Sequence, residues 1–101
     1  MANTYKRVIS ALTSTGDNTV YTCPTATTTI VKTVKVFNAS GGAANVTMKV
    51  NAVSIDNESS LANNATKTFV SGSDVLESGD ALKINTNVQP INVYVTFLEI
   101  S

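Results

Sequence analysis

The chain has no histidine, no tryptophan, a single cysteine and two prolines. Without histidine it lacks the commonest general base, the commonest metal ligand and the side chain that titrates near neutrality. Ser-His-Asp and Cys-His catalysis are therefore impossible within one chain. The lone cysteine, Cys23, excludes an internal disulfide. Only 14% of residues are charged, seven basic and seven acidic, and the longest basic cluster is Lys6-Arg7. Nucleic-acid binding draws on clustered Lys and Arg to displace counterions, so no nucleic-acid partner is expected. No apolar run approaches the ~20 residues of a bilayer span, and no membrane partner is expected. The opening MANTYKRVIS has neither an apolar h-region nor a small-residue cleavage pattern, which predicts synthesis and folding in the cytosol. Gly41-Gly42 lacks the lysine and the following helix of a phosphate loop.

What is abundant is β-branched. Thirteen valines, six isoleucines and fifteen threonines suit a pleated surface better than a helix. Clusters of Gly, Asn, Asp and Ser punctuate the chain, at 15–18, 38–42, 56–60, 63–64, 71–74, 77–80 and 85–87. Between them the sequence predicts strands near 5–14, 19–23, 29–38, 44–53, 65–70, 81–86 and 91–100, with a short extra strand at Val75 and Leu76. The predicted fold is all-β: one antiparallel β-sandwich domain over 1–101, jelly-roll-like or Ig-like, of about 7–8 strands. Residues 44–52 alternate most clearly, with Ala44, Val46, Met48, Val50 and Ala52 on one face. In 29–38 the alternation fails at Lys32-Thr33, and a bulge there would bring Val31 onto the face of Val34 and Val36.

Candidate chemistry is sparse. Cys23 has no histidine to activate it and reads as a small buried hydrophobe at a strand end, with Pro24 as the terminator. Asp56-Asn57-Glu58 offers oxygen ligands to a calcium ion but fits no EF-hand spacing, and solvated turn residues are the better reading. No metal, cofactor or catalytic residue is assigned, and the chain is not expected to be an enzyme. Four Asn-x-Ser/Thr sequons, at Asn38, Asn45, Asn57 and Asn64, stand close to chance for so much Asn, Ser and Thr. Phe37, Phe69 and Phe97 occupy apolar strand contexts and are expected in the core. Tyr5, Tyr21 and Tyr94 are the candidate surface rings, with core or interface packing favoured over sugar binding.

The segment 91–100 is apolar on both faces. Ile91, Val93, Val95 and Phe97 share one face, and Tyr94, Leu98 and Ile100 the other. Such a strand is central in a covered sheet or packs its second face on a partner. Tyr94, Leu98 and Ile100 are accordingly the candidate oligomer or partner interface, with core burial an equal alternative.

The stretch TVYTCPTATTTIVKTVKVFNASG, the later VLESGDALKI and the terminal FLEIS resemble small structural proteins of tailed bacteriophages. An early VYTCP strand precedes a Thr/Ala-rich turn, followed by an IVKxVxVxN strand, a Gly/Ser turn, a GDxL turn-and-strand and a last strand. The resemblance covers about four-fifths of the chain in order, and residues 52–66 match it least. It implies a virion β-sandwich made in the host cytoplasm, most of all a capsid decoration or cement subunit. Its partner would be the major capsid protein, and the chain would form a homo-oligomer. A tail, baseplate or fibre accessory, and a host-glycan-binding β-sandwich, are the alternatives.

Overall fold

The structure, a computed structural model, describes residues 3–101, and the side chains of all of these except 70–73. Eight strands follow one another: β1 (Asn3–Leu12), β2 (Gly16–Thr22), β3 (Thr28–Asn38), β4 (Ala44–Val50), β5 (Val53–Leu61), β6 (Thr66–Leu76), β7 (Ala81–Thr86) and β8 (Ile91–Ile100). No helix occurs among the described residues. The strands form two four-stranded sheets, ordered β1-β8-β3-β6 and β2-β7-β4-β5. Every pairing is antiparallel. The protein is therefore all-β, as the β-branched composition predicts.

Both sheets feed one core. Val31, Val34, Val36, Val93, Val95 and Phe97 come from the first sheet; Val46, Met48, Leu82 and Ile84 come from the second. On β4, β7 and β8 the buried positions recur every second residue. This is the half-buried alternation of a two-sheet protein, with one face of each sheet packed inward. The tilted pair of Tyr21 from β2 and Phe97 from β8, with centroids 4.1 Å apart, bridges the layers. Among the described residues no buried side-chain polar atom lacks a partner.

The irregularity in β3 lies where the sequence places it. Val31 pairs with Phe97, but Thr33 pairs with Thr96, so Lys32 is the extra residue. Val31, Val34 and Val36 are all buried as a result. Three other expectations are corrected. The predicted strand 44–53 breaks at Asn51-Ala52. Asn51 adopts φ 56°, its Nδ2 donates to Asp80 Oδ1 (3.1 Å), and its Oδ1 accepts from the Ala81 N–H (3.0 Å). Asparagine tolerates this left-handed geometry better than most residues. The predicted turn 56–60 is strand β5: Asp56 pairs with Met48 and Glu58 with Val46. The predicted turn 71–74 lies within β6, where Val31 pairs with Asp74 and Thr33 with Ser71, a bulge and not a reversal. Val75 and Leu76 continue that same strand.

Candidate functional site

The outward face of the first sheet is assembled by register. Leu98 pairs with Tyr5 on β1 and with Ile30 on β3; Tyr94 pairs with Ile9 and Lys35; Ile100 pairs with Asn3 and Thr28. Ile30 in turn pairs with Val75 on β6. Directly paired residues point to the same side, so Tyr5, Ile9, Ile30, Val75, Tyr94, Leu98 and Ile100 share one face. Four of them are large and exposed: Tyr5 at 75%, Ile9 at 63%, Val75 at 58% and Tyr94 at 37%. Ile30, Leu98 and Ile100 are half-buried. The predicted trio of Tyr94, Leu98 and Ile100 thus lies together on the face opposite the core.

Two shallow hollows indent this face. One, of about 340 Å³, is lined by Tyr5, Lys6, Arg7, Tyr94 and Thr96. The other, of about 260 Å³, lies between Ile9, Phe37, Tyr94 and Lys35. Phe37 pairs with Asn92, on the outward parity of β8, so it borders the outer face and only Phe97 of the three phenylalanines is fully buried. Phe69 is half-buried against the core, with Lys67 Nζ 5.9 Å from its ring centroid.

The second sheet presents the opposite character outward. Lys49 Nζ sits 3.0 Å from Asp17 Oδ2, Asn85 Nδ2 donates to Asp17 Oδ1 (2.6 Å), and Thr47 Oγ1 donates to Asn57 Oδ1 (2.8 Å). The Asn85 bond first, and the Lys49 contact second, hold the Asp17 carboxyl below the usual range. One outer face is a polar lattice bonded to itself; the other carries exposed apolar side chains among Arg7, Lys35 and Thr96.

At one end of the core a polar chain closes the gap between the sheets. Tyr21 OH donates to Glu99 Oε2 (2.6 Å) and lies 2.8 Å from Thr29 Oγ1; Lys6 Nζ lies 2.9 Å from Glu99 Oε1. Cys23 Sγ sits 3.2 Å from Thr29 Oγ1. Cys23 is buried, and its backbone bonds Asp80 and Gly79 across the 77–80 turn, where Gly79 takes φ 89°. It is an architectural residue, as its sequence context predicts.

The Tyr21 hydroxyl, and Lys6 second, hold the Glu99 carboxyl below the usual carboxylate range. Burial, and then the bond to Glu99, push the Tyr21 phenol up. A depressed carboxyl stabilises the fold at neutral pH and loses that contribution as pH falls below the ordinary glutamate value of about 4.3. Glu99→Gln should therefore lower stability at pH 7 and flatten its decline in acid, read from urea midpoints across the acid range. A raised phenol acts at the other end: its contribution is complete below the ordinary tyrosine value of about 10 and is lost above it.

Asp56 and Glu58, read from sequence as a possible calcium loop, are on a strand instead. Among the described residues no three metal-ligating side chains come together. Sequence reasoning missed Tyr5, Ile9, Ile30 and Val75 as members of the outer face. Their parity is visible in each strand, but which strands become neighbours is not. In sequence, the chain matches no family model and no curated protein.

Proposed function

We propose that this chain is a non-enzymatic structural protein of a bacteriophage virion, a decoration or cement subunit that docks on the shell through the outer face of its first sheet. The observation that carries the docking surface is the cluster of Tyr5, Ile9, Val75 and Tyr94, exposed together on one sheet face. Exposed apolar clusters of this kind mark interaction sites. Four strands about 4.8 Å apart and ten residues long at about 3.4 Å each span roughly 600 Å², close to the ~800 Å² per side of a stable interface. The strand order β1-β8-β3-β6 over β2-β7-β4-β5 is that of a jelly roll, an architecture used by viral capsid and lectin domains. That support is analogy at the level of fold; the virion assignment itself rests on the ordered motifs from VYTCP to FLEIS. Cytosolic assembly in the host, with the major capsid protein as partner, follows from the same reading.

Tyr94→Asp/Ile100→Asp particles should lose most of the bound chain and withstand heat less well than wild type. Cryo-EM of the parent particle should show the first sheet against the shell. Density on the tail alone would move the protein to the tail or baseplate, and its absence from the virion would overturn the proposal.

A second reading, a host-glycan site, is favoured by the hollow between the exposed Tyr5 and Tyr94. Its lining combines two rings with the donors of Arg7 and Thr96. A glycan array lit by the wild type and dark for Tyr5→Ala would support it; a blank array would remove it.

A further inference from the structure

The two sheets have four edges, and three of them are irregular. β2 shifts register against β7 between Thr19 and Tyr21; β5 shifts twice against β4; β6 shifts twice against β3. Bulges of this kind blunt an edge against pairing with another chain. β1 has none: it pairs with β8 without interruption from Asn3↔Ile100 to Leu12↔Ile91. It stands last in its sheet, so among the described residues its other side has no hydrogen-bonded neighbour. Its remaining protection is charge, and Lys6 is already paired with Glu99.

We propose that β1 is a self-association edge, pairing antiparallel with the β1 of a second copy about a two-fold axis at Val8. The register follows from three requirements. A two-fold axis pairs residue i with j at a constant sum, and only even sums keep outward side chains on the outward face. Centring on Lys6 or Arg7 sets like charges directly opposite each other, which is destabilising. Centring on Val8 avoids this and uses more of the strand than centring on Ile9. Arg7 then lies beside the partner's Ile9, Tyr5 beside the partner's Ala11, and Lys6 beside the partner's Ser10. The first sheets join into one eight-stranded sheet, and the two apolar outer faces become continuous. The pairing rests on the edge and not on shell docking, so it is tested on the isolated chain.

Ile9 is exposed, so its variants should fold. Ile9→Glu places a carboxylate beside the partner's Arg7 twice per dimer, and Ile9→Lys places an ammonium there. With Ile9→Gln as the neutral reference, sedimentation equilibrium should rank dimer affinity Glu, then Gln, then Lys, with about tenfold between the extremes in low salt. Mixing Arg7→Cys and Ile9→Cys chains under oxidation should give a disulfide dimer that neither forms alone at the same rate. Equal affinities for the three Ile9 variants, or a wild type and Ile9→Glu both monomeric up to about millimolar concentration, would overturn the pairing. A mixed disulfide formed faster between Tyr5→Cys and Ile9→Cys would overturn the Val8 register. Failure of shell docking with these results intact would leave the edge pairing standing.

Discussion

Replacing Asn38 by leucine should cost the fold about 3–5 kcal/mol, a large fraction of a domain's usual margin of about 5–15 kcal/mol. Asn38 ends β3 fully buried. Its Nδ2 donates to the carbonyls of Gly42 (2.6 Å) and Leu61 (2.8 Å), and its Oδ1 accepts from the N–H and hydroxyl of Ser40. One side chain therefore ties the 38–42 turn to the end of β5. Leucine fills the volume but leaves the Leu61 carbonyl and the Ser40 N–H without the Asn38 partner, each costing about 1–3 kcal/mol if water cannot reach it, while the Ser40 hydroxyl still reaches the Gly42 carbonyl (3.1 Å). A melting temperature lower by roughly 12 °C or more is expected. Asn38→Asp separates shape from donors. It keeps the acceptor but turns a carboxylate towards two carbonyls, so it should be unstable at pH 7 and partly recover as acid protonates it. A leucine variant within a few degrees of wild type would refute this account.

Phe97→Ala should cost about 3–5 kcal/mol, the range for removing a buried aromatic ring. Phe97 is 2% exposed, on the inner face of β8 opposite Val31. The loss extends beyond its own cavity, because Tyr21 packs on that ring while donating to Glu99. Freed from Phe97, Tyr21 should lose part of the burial that, ahead of its bond to Glu99, raises its phenol. Its absorbance titration should move down towards the ordinary range while the chain is still folded. Phe97→Leu, which conserves most of the volume, should cost less than about 1.5 kcal/mol and leave that titration in place.

The part of the fold that is legible in the sequence lies in its alternation. In 44–48 and 91–97 every second residue is apolar, and those residues are in the core. Even the fault in β3 was visible, because Lys32 falls among apolar residues of its own parity and only an added residue realigns Val31 with Val34. β5 failed for the converse reason. Its positions opposite Met48 and Val46 are Asp56 and Glu58, carboxylates on an edge strand where water remains within reach, so DNESS imitates a turn. In sequence Asn38 reads as a turn residue and a sequon; that it is buried and bonds Leu61 depends on a chain reversal 23 residues away. The outer face was half visible. Tyr94, Leu98 and Ile100 stand in one strand, whereas Tyr5 and Ile9 join them through the pairing of β1 with β8, which local pattern does not specify.

That pairing also sets an order in time. β8 lies between β1 and β3, and β1 has no other neighbour in its sheet. On the ribosome, β1 emerges before β8 and must wait for some eighty more residues before its ladder can form. Closure over such separations places folding on the millisecond-to-second scale typical of all-β topologies. Through that interval both sides of β1 are open, with Tyr5 and Ile9 uncovered. When several ribosomes translate one message, the strand that waits longest is the one best suited to pair with its own copy, so association during synthesis competes with closure of the first sheet.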